Sequence, residues 1–150
     1  MPTKKHLLPD PLDRYLTASS KDTASSIHSF VSKGGTLVTT EAMLALNDML
    51  PELRLKLAGL AENTHLRRRL EILTRYFEET LGDPHASRPA RGDTAFALLY
   101  FLRGYDRIPD SIPEIGLLDD AMVADTAWNS HSAALRVHWQ KYRRAWPEGQ

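Results

Sequence analysis

One stretch of this chain, Gly104-Tyr105-Asp106-Arg107-Ile108-Pro109-Asp110-Ser111-Ile112-Pro113-Glu114-Ile115-Gly116-Leu117-Leu118-Asp119-Asp120, restricts the fold more than any other. Two prolines, two glycines and four aspartates alternate there with isoleucine and leucine. Proline lacks the donor that a helix interior needs and pushes the preceding residue toward extended backbone, so this stretch cannot be one long helix. The alternation of Ile108 and Ile112 with Pro109 and Pro113 still buries one side of it. Such a segment is a built connector, and the helices on either side of it are expected to form a hairpin.

The flanking sequence reads as helix throughout. Thr94 to Arg103 contains the run Ala95 to Leu102, apolar on every face and therefore buried. Asp93 is the expected cap of this helix and Gly104 its end. Beyond the connector, Ala121, Ala124, Trp128, His131, Leu135, Trp139 and Tyr142 share one face of a helix expected from near Leu117 to near Trp146. Upstream, Met43, Leu46, Leu50, Leu53, Leu57 and Leu60 form a heptad seam behind a cap at Thr39 or Thr40. The seam keeps phase across Pro51, which predicts a kink or a short break with restart. Leu66, Leu70, Leu73 and Phe77 make a second seam, from Asn63 or Thr64 to Gly82. The phase break between Leu60 and Leu66 predicts a tight turn and an antiparallel hairpin.

A weaker helix starts at Ser20 or Asp22 and stops at Gly34-Gly35. Gly82 to Gly92 reads as a solvent loop, and residues 1–20 as a loosely ordered arm. No strand alternation appears beyond the Ile-Pro turn. The expectation is an all-α, compact bundle of about five helices, a single domain over 21–150 whose C-terminal hairpin is joined by the Asp/Pro-rich turn.

Composition narrows the chemistry. The 150 residues suffice for one domain with a sizeable core. There is no cysteine, which removes disulfides, thiolate nucleophiles and cysteine metal sites. The formal charge is zero, so no global field draws nucleic acid or anionic lipid. Charge is nevertheless uneven. Residues 105–125 carry Asp106, Asp110, Glu114, Asp119, Asp120 and Asp125 against Arg107, whereas Arg136, Lys141, Arg143 and Arg144 follow with no acid from 126 to 147. Acids early and bases late suit the dipole of one helix. No secretory pattern is expected in Met1 to Leu12, and the longest apolar run is far short of the roughly 20 residues of a membrane span.

Asp106, Asp110, Asp119 and Asp120 carry the candidate chemistry. Gathered by a tight turn, they can hold a hard cation such as Mg²⁺, Ca²⁺ or Mn²⁺. They can equally accept backbone N–H bonds, with Asp119 or Asp120 capping the last helix. Asp125 is out of helical phase with both for an Asp-Asp-x-x-Asp motif. Glu62-Asn63-Thr64-His65 spells a single Glu-x-x-His, where di-iron bundles use two. His131 and His138 share a helix face about 10 Å apart, which suits packed imidazoles better than one shared ion. The Arg67-Arg68-Arg69 run, Arg75 and the Lys141 to Arg144 tail could touch phosphates, but the first lies among Glu62, Glu71, Glu78 and Glu79 and the second ends a helix. Phosphate-loop, dinucleotide-fingerprint, nucleophile-elbow and zincin motifs are all missing from the sequence.

Asp106, Ile108, Pro109, Asp110, Ile112, Pro113, Gly116, Asp119 and Asp120, behind the apolar Ala97 to Leu102, fall on the pattern of the YkvA-like domain-of-unknown-function family, which residues 93–127 resemble. Gly104, Arg107, Ser111 and Glu114 stand where that pattern has Pro, Leu, an aromatic and an aliphatic residue, making this copy more polar. The resemblance implies the helical hairpin, with Gly104, Ile108, Pro109, Ile112, Pro113 and Gly116 as its structural motif. It also implies a bacterial, cytoplasmic protein, with membrane association described for similar members. It carries no settled activity. The function expected is a non-catalytic helical interaction or adaptor protein binding a protein partner or itself, since two leucine seams and a buried helix offer more apolar surface than a thin monomer hides. The alternative is divalent-cation binding at the aspartate turn with hydrolytic activity. A third is peripheral membrane association through Ile108, Ile112, Ile115 and Leu117. No other cofactor and no nucleic-acid partner are expected.

Overall fold

The computed structural model describes residues 8–9, 11–12, 27–60, 64–83, 86–103 and 113–144. Within them the chain is all-α, with six helices: α1 (Ile27–Thr36), α2 (Thr40–Asp48), α3 (Leu50–Ala58), α4 (His65–Thr80), α5 (Arg88–Arg103) and α6 (Pro113–Lys141). The Asp/Pro connector from Gly104 to Ile112 lies outside the described residues.

α5 is the centre of the assembly and touches each of the other five helices. Its residues Thr94 to Phe101 are buried without exception, as an all-round apolar helix must be. Each buried Phe or Leu there removes enough apolar surface from water to contribute about 1.5–3 kcal/mol. Both leucine seams face the same core. Met43, Leu46, Leu50, Leu53 and Leu57 are buried, as are Leu70, Leu73 and Phe77 of α4, while Leu60 and Leu66 pack at its margin. Leu8 and Leu12 are buried too. The surplus of apolar surface expected from two seams is therefore consumed within the chain.

Local signals set the helix ends where they match the sequence reading. Thr39 Oγ1 accepts from Ala42 N at 3.1 Å and opens α2, and Thr64 Oγ1 accepts from Arg67 N at 3.2 Å and opens α4. α2 and α3 meet at Met49, where Pro51 in the first turn of α3 supplies no N–H and the axis breaks without loss of seam phase.

Four boundaries differ from expectation, one of them the end of α6, which falls at Lys141 rather than near Trp146. Gly34 and Gly35 do not stop α1 but lie inside it, because α1 and α5 cross there with almost no gap. A methyl group on Gly34 would overlap the Phe96 ring, and one on Gly35 would overlap the Asp93 carboxylate. From the other side, a methyl on Gly92 would stand 2.7 Å from Gly35 O. α5 begins at Arg88 rather than Thr94, capped by Ser87, whose Oγ accepts from Ala90 N at 3.2 Å. Asp93 is consequently inside α5. α6 begins at Pro113, a residue pre-shaped for a first helical position, so Asp119 and Asp120 lie within the helix rather than at its cap. α6 also kinks at His131 (φ −126°, ψ 20°).

Candidate functional site

Of the aspartates singled out by sequence, Asp106 and Asp110 lie outside the described residues, with Gly104, Ile108, Pro109 and Ile112. Among the described residues, no three His, Asp or Glu side chains gather as metal ligands. Nor is any described helix long and apolar enough to cross a membrane. Glu62 is outside the described residues, and His65 stands 3.7 Å from Asp125.

The polar residues that do come together run along α6 as three clusters. Nearest the connector, Asp125 accepts from Arg69 Nη1 at 3.1 Å, and the same guanidinium covers the Trp128 ring, its centre 4.6 Å from the ring centroid. At the kink, His131 Nε2 meets Asp93 Oδ2 at 2.7 Å, while the other Asp93 oxygen packs on Gly35. This ties α1, α5 and α6 at one carboxylate.

Farther along, Glu79 of α4 collects three donors. His138 Nε2 reaches Oε1 at 2.9 Å, while Arg144 Nη2 and Arg75 Nε reach Oε2 at 2.8 and 3.2 Å. Burial alone would push the Glu79 carboxyl up, but hydrogen bonds from His138, Arg144 and Arg75 and the Arg144 charge outweigh it and hold the group below its ordinary value. Arg144 gets there because Arg143 adopts the left-handed conformation (φ 57°) and turns the chain back, with Arg144 N donating to Trp139 O at 3.1 Å. Close by, burial raises the Tyr76 phenol, with Asp83 adding to the rise and Arg91 opposing it.

A histidine paired with a carboxylate is a common acid–base device. His138 is poorly placed for it: only 5% of the side chain is exposed, and the rings of Tyr76, Trp139 and Tyr142 stand edge-on within 5.8 Å. It acts as a tie between α4 and α6. The basic runs are engaged in the same way. Arg67 bonds Glu71 and Leu60 O, Arg69 bonds Asp125, Arg75 and Arg144 share Glu79, and Lys141 lies 3.5 Å from Asp83. An open groove of about 610 Å³ between α3 and α4 is edged by charges that pair with one another, Arg54 with Glu78 and Arg75 with Glu79.

Sequence reasoning passed over the outer face of α2 and α3. Leu44 and Leu55 are 53% and 73% exposed there. Each leucine stands on the side of its own helix away from the seam. Glu41, Asp48 and Pro51 are exposed beside them. The signal was legible, since both leucines are out of phase with the seam.

Comparison with known proteins adds one finding. A family profile described as a protein of unknown function (DUF1232) matches residues 94–124, from α5 through the connector into α6. No curated protein and no solved structure matches the chain. What residues 94–124 are similar to is therefore a family of unknown function.

Proposed function

We propose that this protein is a non-catalytic helical interaction module that binds a protein partner or a second copy of itself through the outer face of α2 and α3. The observation that carries this reading is the exposed pair Leu44 and Leu55, each on the outer side of its helix while their seam neighbours fill the core. Large apolar side chains left exposed on outer helix faces are a recognition pattern for a partner. On this reading the α5–α6 hairpin is the scaffold. Its matched segment is the YkvA-like one, and the protein works in the bacterial cytoplasm. The test is a double substitution, Leu44→Glu with Leu55→Glu, which leaves the core untouched. Immobilised wild-type protein should retain a partner, or sediment with rising mass as concentration increases, and the double variant should do neither. Identical behaviour of the two proteins removes the reading.

A second reading is supported by the family match, because it spans Asp106, Asp110, Asp119 and Asp120. Here the connector takes a divalent cation. Calorimetric titration with Mg²⁺, Ca²⁺ and Mn²⁺ should give heat that Asp110→Asn abolishes, and a flat titration ends it.

A further inference from the structure

The outer face of α2 is acidic as well as apolar. Glu41, Leu44 and Asp48 follow one another at steps of three and four, so they share one side of a single helix, and all three are exposed. Neither carboxylate bonds a described residue. The bases of the next helix do not come to them: Arg54 bonds Glu78 of α4, and Lys56 donates to Phe101 O of α5. An exposed leucine thus stands between two unpaired carboxylates. The complement of such a face is a helix with a large aliphatic side chain between two bases at the same spacing. Among the described residues, the other exposed large aliphatic side chains are Met122, Val137 and Leu55. Met122 has Asp119 and Asp125 three residues to either side, and Leu55 has Glu52 three residues before it. Val137 has Lys141 one turn ahead, itself 3.5 Å from Asp83, but only Ala133 and Ala134 one turn behind. None of these faces is the complement, so a second copy of the described helices does not supply it.

We infer that the occupant of the Leu44 face is a basic amphipathic helix of another protein, in which lysines or arginines flank an aliphatic side chain at steps of three and four. This rests on the interaction reading above and names the chemistry of the partner. The aliphatic side chain meets Leu44 while the flanking bases meet Glu41 and Asp48, which fixes the register of the incoming helix and rejects an acidic one. Both carboxylates are exposed, so the charged part of the recognition weakens with salt while the apolar part does not.

Fluorescence anisotropy on the full chain tests this with two labelled synthetic helices of about 18 residues. One carries leucine on a single face flanked by lysine, and the other is identical except for glutamate in place of lysine. In about 50 mM NaCl, wild type should bind the lysine peptide at least about tenfold more tightly than the glutamate peptide, and in about 500 mM the preference should shrink. Leu44→Ser should weaken the lysine peptide by about tenfold or more, and Glu41→Lys with Asp48→Lys should reverse the preference between the two peptides. Every substituted side chain is exposed, and circular dichroism confirms that the variants fold. Equal affinity for the two peptides overturns the inference, as does binding of neither. Lysine-peptide binding that either set of substitutions leaves unchanged overturns it as well, because the peptide then sits elsewhere. The interaction reading is decided separately, by whether wild type and Leu44→Glu with Leu55→Glu differ in sedimentation or in retention of a partner. A difference there without a preference for lysine keeps that reading and discards the basic partner.

Discussion

Two carboxylate–histidine pairs anchor α6, seven residues apart along the helix, and they are built on different principles. The Asp93–His131 pair is sealed on both sides, with 13% and 15% of the side chains exposed, and one carboxylate oxygen lies against the backbone of Gly35. Among the described residues, no other charge is bonded to Asp93 there. The Glu79–His138 pair instead adds Arg75 and Arg144 to the same carboxylate. The first works by fit, where three helices approach so closely that one glycine is obligatory. The second works by the number of donors facing one acid. A pair of the same chemistry should therefore fail to different perturbations: volume for the first, protonation for the second.

The largest expected effect comes from volume. Gly35→Ala places a methyl on the Asp93 carboxylate, and relief requires either α1 to move off α5 or Asp93 to leave His131. Overpacking of this kind costs about 1–3 kcal/mol, despite the better helix propensity of alanine. For a chain of this length each kcal/mol lowers the melting temperature by roughly 2–4 °C. Gly82→Ala is the control, with nothing within 4 Å of the added methyl, and should change stability by no more than about 0.5 kcal/mol. Asp93→Ala made alone also destabilises, but in the Gly35→Ala background it removes the obstruction, so the double variant should lose less than the two losses added. Simple additivity would show that Gly35 and Asp93 do not share a contact.

Protonation should do less, and only in acid. Glu79→Gln keeps the size of the side chain and two hydrogen-bonding positions while removing the charge, for an expected loss of about 1–2 kcal/mol near neutral pH. Because the folded carboxyl lies below its ordinary value of 4.5, its contribution is present above that value and disappears as pH falls through the lower, folded value. Urea midpoints taken from neutral to strongly acid pH should therefore converge for wild type and Glu79→Gln. A constant gap between the two curves would mean that shape, not charge, holds this pair together.

The contrast also explains what could be read without coordinates. The seams over Met43 to Leu57 and Leu70 to Phe77, the caps at Thr39 and Thr64, and the burial of Thr94 to Phe101 are all set by residues within a few turns of each other. Periodicity and capping chemistry report such facts directly. Gly34-Gly35 was misread because a glycine pair after a helical run looks the same whether it ends the helix or admits a neighbour. What decides is Phe96 and Asp93, about sixty residues away. Asp93 was misread likewise: it is a good capping residue in the middle of a helix, justified by His131, 38 residues on. The Glu79 cluster carried the same difficulty, since its donors come from positions 75, 138 and 144. The connector aspartates were conspicuous by composition, yet composition does not say whether they face a cation or backbone.

The smallest effect sharpens the donor-counting idea most. Arg75 and Arg144 both bond Oε2 of Glu79, but their surroundings differ. The Arg75 side chain is 57% exposed and reaches one turn along its own helix, where such pairs contribute at most about 0.5 kcal/mol and weaken with salt. Arg144 comes from beyond the end of α6, with its guanidinium 4.4 Å from the Tyr142 ring centroid and 5.1 Å from that of Trp139. Arg75→Ala should therefore shift the urea midpoint barely, and not at all in high salt, whereas Arg144→Ala should approach the loss from Glu79→Gln. Equal effects from the two arginines would mean that Glu79 responds to the total of nearby positive charge and that the turn at Arg143 positions nothing of consequence. Unequal effects in the stated order locate the stabilisation in the partly buried, stacked donor, which is the one that joins α6 back to α4.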